Sequence, residues 1–263
     1  MQNPLYIIST PIGNLDDITE RALKVLEQSE IIYCEDTRVT SKLLQKYGIK
    51  GKTLLQYNDH SGEKERKQII KNLDQGKQIA LVSDAGTPLI SDPGYKLIRE
   101  LRDKIYKVTA LPGASSVINA LVLSGLPTNN FYFAGFTEVK KGKRENQLAK
   151  LTGYKTTLIF MERAERVCDF LSSCLKIFGD VEASVAREMT KLYEEVKSDK
   201  ISNLIEFYQQ NPPKGEVVIL LDNSTPTQYS EEYISNSISQ LLKNHSLKDA
   251  SQLAAEKFNI SKK

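Results

Sequence analysis

The amino-acid sequence predicts an α/β fold that is divided between two domains. Short apolar runs alternate with amphipathic segments along most of the 263 residues, and this alternation is typical of helices packed on a mainly parallel sheet. A chain of this length accommodates one large or two modest domains. The composition, 40% hydrophobic and 26% charged, is ordinary for a globular chain and argues against global disorder.

The first half of the sequence contains five apolar runs that we predict to be strands. They lie at 5–9, 30–34, 53–57, 79–83 and 106–111. The runs are apolar or nearly so throughout, as expected where both faces of a parallel sheet are covered. Together they predict an open α/β sheet.

The helices between these strands have recognisable ends. In residues 17–20, Asp17 is the predicted N-cap and Glu20 the acidic residue at N3, which is typical of a helix start. The apolar face of this first helix consists of Ile18, Ala22, Val25 and Leu26. Thr40 or Ser41 is expected to open the second helix and Gly48 to close it. Gly76 is expected to close the third.

The second half repeats the alternation with different spacing. Strands are predicted at 131–136, 156–161, 183–187 and 216–221, and helical patterns lie near 143–152, 163–177 and 201–210. We place an N-terminal α/β domain at 1–113, a C-terminal α/β domain at 114–222, and a linker with a short helical tail at 223–263. In the tail, Ser246 is a predicted cap for a helix. Its expected buried stripe is Leu247, Ala250, Leu253 and Ala254.

Composition also excludes several classes of site. Three cysteines without a CxxC pair and only two histidines argue against a disulfide framework and against a metal site. No GxSxG elbow or GxG fingerprint is present, which argues against a serine hydrolase and a dinucleotide-binding domain. No run approaches the roughly 18 apolar residues of a membrane span, and no signal peptide is recognisable. We therefore expect a cytoplasmic protein with no membrane partner.

Loops rich in glycine and small residues follow four of the predicted strands. They lie at 10–14, 35–38, 84–94 and 112–116. In an open α/β sheet, ligands bind beyond the carboxyl ends of the strands, so all four loops belong to one predicted site. The alternative for any single loop is a tight turn followed by a helix cap. The helix start at Ser115 and Ser116 would offer unpaired N–H groups to a ligand.

The motifs of these loops resemble the ribosomal RNA small subunit methyltransferase I family, which belongs to the tetrapyrrole-methylase (class III) superfamily. The resemblance is carried by STPIGNLDDIT (9–19), CEDTR (34–38), LVSDAGTPLISDPG (81–94), LPGASS (111–116), LSGLPTNNFYFAGF (123–136), AREMTKLYEE (186–195) and KGEVVIL (214–220). It covers nearly the whole chain in order. The resemblance implies the two-domain class III methyltransferase fold, S-adenosyl-L-methionine bound between the domains, and a homodimer. It further implies 2′-O-methylation of a cytidine ribose in the decoding region of 16S ribosomal RNA.

The resemblance also assigns cofactor-binding residues. From the first domain these are Asp84, Ala85, Gly86 and Thr87, and Ser115 and Ser116 are expected to lie nearby. From the second domain they are Met161, Ala186 and Gly215. Asp84 would bond the cofactor or polarise the site, and its alternative role is to brace the loop.

Several groups are candidates for the catalytic proton acceptor, and the sequence does not choose among them. Glu35, Asp36 and Arg38 follow the second strand, and Arg38 is equally suited to clamp a phosphate. Their alternative is a structural ion-pair cluster. Glu188, Lys191 and Glu195 follow the strand at 183–187 and are further candidates, of which Lys191 completes the catalytic set. His60 is a further candidate base, although a lone histidine more often braces a loop.

Binding to 16S ribosomal RNA or the small ribosomal subunit is assigned to a basic cluster and one loop residue. The cluster consists of Lys140, Lys141, Lys143 and Arg144. Asn14 is the candidate for the RNA ribose. The alternative for the cluster is a solvated helix start, and nearby Tyr132 and Phe136 either stack on bases or belong to the core.

Two other functions remain open at this stage. The same fold and pocket loops serve small-molecule C-methyltransferases that act on tetrapyrroles, and a non-catalytic RNA-binding or assembly factor could keep the fold. Two segments also differ from the family's usual motifs. In 160–166 only Glu162 and Arg166 match the family's pattern, and in 58–61 only His60 does.

Overall fold

A computed structural model describes residues 4–58, 61–104, 106–224, 231–242 and 246–258. The chain divides into two compact units. Unit 1 comprises Met1–Ile118 and Met189–Tyr193, and unit 2 comprises Asn119–Glu188 and Glu194–Lys263. The domain limits drawn from the sequence, at 113 and 222, stay a prediction.

Unit 1 is built on a five-stranded parallel sheet. Its strands are β1 (Leu5–Ile8), β2 (Ile31–Cys34), β3 (Thr53–Gln56), β4 (Ile79–Val82) and β5 (Val108–Leu111). Their order across the sheet is β3-β2-β4-β1-β5. Leu5 pairs with Ile79 on one side and with Val108 on the other, both in parallel register. The predicted open parallel sheet is therefore confirmed.

Both faces of this sheet are buried, which explains the continuous apolar runs. Tyr33 and Leu81 lie in one core cluster, whereas Ile32 and Val82 lie in another. Successive residues of a strand point to opposite faces. A strand covered on both sides therefore needs apolar side chains at every position.

Five helices, α1 to α5, lie between and after these strands. They are α1 (Glu20–Gln28), α2 (Thr37–Lys46), α3 (Glu63–Asp74), α4 (Tyr95–Asp103) and α5 (Ser116–Leu123). The predicted cap at Asp17 is wrong, because Asp17 ends a short 3-10 turn (Leu15–Asp17). Helix α1 is capped two residues later by Thr19, whose hydroxyl accepts the N–H of Ala22 at 3.1 Å. The predicted start of α2 at Thr40 or Ser41 is wrong. The helix begins a turn earlier because the Asp36 carboxylate accepts the N–H of Arg38 at 2.8 Å and caps it there.

Unit 2 contains a second five-stranded sheet of mixed direction. Its strands are β6 (Phe131–Phe136), β7 (Thr157–Arg163), β8 (Glu182–Arg187), β9 (Glu195–Lys200) and β10 (Glu216–Asp222). The order is β6-β7-β10-β8-β9. The pair β6–β7 is parallel and the other three pairs are antiparallel. Every predicted strand is found with end shifts of at most two residues, whereas β9 was not predicted.

The helices of unit 2 cover one face of its sheet and form the tail. They are α6 (Lys141–Ala149), α7 (Val167–Phe178), α8 (Ile201–Gln210), α9 (Glu231–Leu241) and α10 (Leu247–Phe258). In α10, the hydroxyl of Ser246 accepts the N–H of Asp249 at 3.2 Å, so the predicted cap is present. Ala250 and Ala254 are buried as expected.

The predicted buried stripe of α10 is wrong at both leucines. Leu247 is 72% exposed and Leu253 is also exposed. The helix contacts α9 and buries its small alanine face, whereas both leucines lie outside the buried face. None of the helices in the described ranges is long and apolar enough to cross a membrane.

Candidate functional site

Three loops are joined by hydrogen bonds at the carboxyl edge of the parallel sheet in unit 1. Thr10, after β1, and Gly86, after β4, exchange both backbone hydrogen bonds at 2.9 and 3.0 Å. The hydroxyl of Thr87 lies 3.0 Å from that of Ser9 and donates to the carbonyl of Ala114 at 3.2 Å. The loops at 10–14, 84–94 and 112–116 therefore meet, as the sequence predicted.

Two glycines bring main-chain atoms to this edge. Gly86 has φ +80°, a conformation that other residues adopt only at a cost. A Cβ on Gly113 would lie 2.7 Å from the Cβ of Ser9, well inside van der Waals contact. Gly113 is exposed at this edge, and a side chain there would not fit. Gly86 is buried, with its N–H and its carbonyl both bonded to Thr10, so it shapes the loop.

A pair of aspartates lies at the point in the sheet where the connections from two neighbouring strands run in opposite directions. The chain leaves β2 toward β3 and leaves β4 toward β5, on opposite sides, so the β2–β4 crevice is a topological switch point. There the N–H of Asp36 donates to Oδ1 of Asp84 at 3.0 Å. Asp84 was assigned to the cofactor and Asp36 to catalysis. The structure brings the two together.

The two carboxylates differ in acidity. Arg38, whose guanidinium contacts both oxygens of Asp36 at 2.6–3.1 Å, lowers the pKa of Asp36 to about 2. Burial raises the pKa of Asp84, and the hydrogen bond from Asp36 only partly offsets it. Two neighbouring carboxylates with separated pKa values are typical of acid–base sites. Glu35 contributes its carbonyl to this edge, where it accepts a hydrogen bond from Gln56 at 3.1 Å.

Strained backbone is concentrated in two loops. Within the described residues, four side-chain-bearing positions have positive φ, namely Leu89, Ser91, Glu188 and Thr190. The first two lie in the loop after β4 and the other two in the loop after β8. Such conformations cost about 1–3 kcal/mol each and cluster at functional sites. The geometry thus points to the same two loops that the motifs single out.

Asn14 and Lys191, which are far apart in the sequence, are neighbours within unit 1. The N–H of Asn14 donates to the hydroxyl of Thr190 at 3.1 Å, and the Asn14 side chain accepts the N–H of Asp16. A Cβ on Gly13 would lie 2.5 Å from Cγ of Lys191. Sequence reasoning assigned both residues but had no means of placing them side by side. The indication present in the sequence was Gly13, because a glycine in the 10–14 loop allows another segment to pack closely on it.

In unit 2, two predicted cofactor residues lie in one row across the sheet. Met161 of β7 and Ala186 of β8 both pair with Val218 of β10, so their side chains share a face. Gly215 has φ +81°, and a Cβ there would lie 2.7 Å from Oε1 of Glu188. The Glu188 carboxylate therefore lies against the backbone of Gly215, and the sequence did not indicate this contact.

The remaining first-unit assignments are helix and loop positions at the same edge. Ser116 is the first residue of α5. The N–H of Ile118 donates to the hydroxyl of Ser115 at 3.4 Å. The carbonyl of exposed Ala85 accepts a hydrogen bond from Ser83 at 3.3 Å. The candidate base His60 lies outside the described residues.

The predicted basic cluster is only partly available to RNA. Lys140, Lys141 and Lys143 are exposed at the start of α6, and Lys143 lines a groove together with exposed Phe136. Tyr132 packs its ring against that of Tyr154, with centroids 4.7 Å apart.

The assignment of Arg144 to RNA binding is wrong. Its side chain is 3% exposed, and its guanidinium donates to the Ser173 hydroxyl at 3.0 Å and to the Asp169 carbonyl at 3.2 Å. A buried cation needs such partners. Arg144 therefore ties α6 to α7 and contributes no phosphate contact.

The matching residues of the altered 160–166 segment form a structural network. Glu162 is 1% exposed and accepts hydrogen bonds from Thr137 at 2.8 Å and from Arg163 at 2.9 Å. Arg166 pairs with the same carboxylate at 3.0 Å. These contacts join the end of β6 to the end of β7.

The fold and its edge loops define a class of protein. The family model described as Tetrapyrrole (Corrin/Porphyrin) Methylases matches residues 4–205. Two solved structures share the fold. A cobalt precorrin-4 methyltransferase is 19% identical with a TM-score of 0.62, over 85% of this chain and 96% of that chain. A diphthine synthase is 16% identical with a TM-score of 0.64, over 83% and 90%. The chain is thus a tetrapyrrole-methylase-type protein.

Closer relatives narrow this class. A ribosomal RNA small subunit methyltransferase I of Rickettsia prowazekii is 46% identical over 98% of this chain and 92% of its own length. A protein of the same name from Thermotoga maritima is 44% identical over 82% of this chain and 97% of its own length. Another from Haemophilus influenzae is 39% identical over 98% of this chain and 93% of its own length. The chain belongs to the ribosomal RNA small subunit methyltransferase I family.

Proposed function

We propose that this protein methylates the 2′-oxygen of a cytidine ribose in the decoding region of 16S ribosomal RNA, with S-adenosyl-L-methionine as methyl donor. The observation that carries the proposal is the 46% identity, over nearly the full chain, with a relative named for methylating small-subunit ribosomal RNA. The Asp36–Asp84 pair at the β2–β4 crevice and the strained loops after β4 and β8 support a catalytic site at this edge.

The donor set at the edge of unit 1 fits this cofactor. S-adenosyl-L-methionine, when bound, supplies an electrophilic methyl carbon on a cationic sulfonium. The exposed main chain at Gly113 and the hydroxyls of Thr87, Ser115 and Ser116 suit its uncharged adenosyl and ribose groups, and Gly86 shapes the loop that carries Thr87. Asp84 is the one carboxylate in this set, and it suits an adjacent positive charge. From unit 2, we assign Met161, Ala186 and Gly215 to the same ligand.

In this proposal, Asp84 would accept the proton of the ribose 2′-hydroxyl. The bound S-adenosyl-L-methionine would supply the methyl group, with cleavage of its bond to sulfur and release of neutral S-adenosylhomocysteine. Its raised pKa makes it the better acceptor of the two aspartates. Asp36 stays ionised beside Arg38 and orients Asp84 through its N–H. Asn14 and Lys191 hold the RNA so that the hydroxyl is in line with the methyl group. Positioning of this kind supplies roughly 7–11 kcal/mol of barrier reduction.

The proposal includes the cellular setting and the assembly state. A small ribosomal subunit is a cytoplasmic particle, so we infer a cytoplasmic enzyme. The family resemblance supports a homodimer, which sedimentation equilibrium would test.

The proposal is tested by incubating the protein with radiolabelled S-adenosyl-L-methionine and small ribosomal subunits that lack the modification. We expect label in 16S ribosomal RNA and, after complete digestion, in 2′-O-methylcytidine. Label in a porphyrinoid, with RNA unlabelled, would instead identify a tetrapyrrole C-methyltransferase. Calorimetry that detects no binding of the donor would favour a non-catalytic assembly factor.

A further inference from the structure

The segment from Glu188 to Tyr193 has an unfavourable backbone conformation. Glu188 and Thr190 both have positive φ, which is unfavourable for residues with a side chain. At the ends of the loop, Arg187 and Glu195 pair across β8 and β9, with N–O distances of 2.9 and 3.2 Å. The loop is therefore closed at its base and its backbone is held in a costly shape.

Contacts within unit 1 hold the middle of this segment. Met189 is buried, and its carbonyl oxygen would lie 2.8 Å from a Cβ on Gly13. The hydroxyl of Thr190 accepts the N–H of Asn14. The segment thus packs directly on the 10–14 loop, at a position where only glycine leaves room for it.

The next residues are presented to solvent. Leu192 is 87% exposed, more than any other large apolar side chain in the described ranges, and Tyr193 is 71% exposed. Exposure of two large apolar groups next to a rigid anchor has no benefit for folding. Lys191, two residues before Tyr193, is also exposed, so a cation and an aromatic ring lie close together in the chain.

We propose that Tyr193 is a stacking platform for an unpaired base of the RNA substrate, with the Lys191 ammonium directed to the adjoining phosphate. The proposal rests on the proposed function for its RNA substrate and adds the residues that recognise it. An exposed aromatic ring beside a cation is the usual means of binding single-stranded RNA, because every base has a flat face and every linkage a negative charge. The anchoring by Gly13 and Thr190 places this platform beside Asn14.

The chain has no tryptophan, which allows a direct test. In the full-length variant Tyr193→Trp, the new fluorophore is the only indole. A cytidine-containing single-stranded oligoribonucleotide, added at low salt, is expected to quench its emission. The matched control is Tyr154→Trp, at a partly exposed tyrosine before β7, whose emission is expected to stay unchanged.

Kinetics provide the second measurement. Tyr193→Ala is expected to raise the KM for small subunits by about tenfold, within the range of about 5 to 150 implied by one lost stacked base. Tyr193→Phe keeps the ring and is expected to restore the KM. The affinity for S-adenosyl-L-methionine, measured by calorimetry, is expected to be the same in all three proteins.

The outcomes separate this proposal from the proposed function. Methylation of subunits without quenching, and with unchanged KM in Tyr193→Ala, would overturn the platform and leave the activity standing. Quenching by RNA in a protein that methylates no subunit would support the platform and contradict the activity. An emission change that follows protein concentration and not RNA would identify a second copy of the chain as the occupant and overturn the platform.

Discussion

Individual residues of this site owe their chemistry to neighbours that are distant in the sequence. Asp36 and Asp84 are both aspartates that follow an apolar strand, yet their pKa values move in opposite directions. Arg38 lies two residues from Asp36, so this ion pair could be suspected from the sequence. The burial of Asp84 and its contact with Asp36 depend on the adjacency of β2 and β4 and could not.

The variant Asp84→Asn tests the proton acceptor. Its amide oxygen can still accept the N–H of Asp36, so we expect the fold and the melting temperature to be kept. Loss of the base is expected to lower kcat by about 10²–10⁴-fold, measured as methyl transfer to small subunits. Asp103→Asn, at the last residue of α4, is the control. An unchanged kcat would remove Asp84 from this role.

The same assignment predicts the pH dependence of the wild-type rate. Asp84 must be ionised to accept a proton, and its pKa is raised by burial. The rate is therefore expected to rise with pH through that raised pKa, at higher pH than an ordinary aspartate would give. A pH profile of single-turnover methyl transfer measures this. A rate that stays constant down to the usual aspartate pKa would contradict the assignment.

Gly13→Ala tests the close packing of the 189–193 segment. The added methyl group would meet Lys191 and the Met189 carbonyl, so the segment must shift. We expect a loss of about 1–3 kcal/mol in the free energy of unfolding and a raised KM for RNA. Gly142→Ala, where a Cβ meets nothing within 4 Å, is the matched control in chemical denaturation. Equal stability of the two variants would argue against the tight contact.

At the scale of secondary structure, the element that sequence reasoning missed is β9. Its sequence, EVKSDK, has no apolar run. It forms because it is an edge strand held by cross-strand pairs, with Lys200 opposite Glu182 and Glu195 opposite Arg187. Charged edge strands of this kind protect a sheet from aggregation. A method that looks for apolar periodicity does not detect them.

The pair Arg187–Glu195 can be tested by charge reversal. Arg187 lowers the pKa of Glu195, so the pair is intact at neutral pH and is lost only as the pH falls through that lowered value. Glu195→Lys places like charges opposite each other and is expected to destabilise the β8–β9 hairpin by about 1 kcal/mol. The double variant Arg187→Glu with Glu195→Lys is expected to recover part of this loss in thermal unfolding. No recovery would show that the charges are not coupled.

At the scale of the whole molecule, the positive charge that could contact RNA lies in local clusters. The net charge of +3 is too small for strong RNA binding by itself. Binding must therefore depend on exposed clusters, such as the lysines at the start of α6. Burial removes Arg144 from this cluster, and the sequence shows four cations within five residues without showing which one points inward.

The division of this cluster gives a final prediction. The double variant Lys141→Ala with Lys143→Ala is expected to weaken RNA binding. The negative slope of log affinity against log salt is expected to become shallower by about 1.4–1.8, with an unchanged free energy of unfolding. Arg144→Met is expected to leave the slope unchanged and to cost about 1.5–3 kcal/mol in unfolding free energy. Fluorescence anisotropy at several salt concentrations and chemical denaturation measure the two effects. The reverse pattern would return Arg144 to the RNA-binding set.

Local pattern was sufficient for the strands of the parallel sheet, most helix ends and the four loops at its carboxyl edge. These features depend on hydrophobic periodicity and turn chemistry within short stretches of chain, and parallel strands bring their carboxyl ends to one edge in any order. The Asp36–Asp84 contact, the burial of Arg144 and the packing of 189–193 on Gly13 required the folded chain. Each is a contact between side chains or backbone of segments that periodicity cannot place side by side, and it depends on strand order and helix packing.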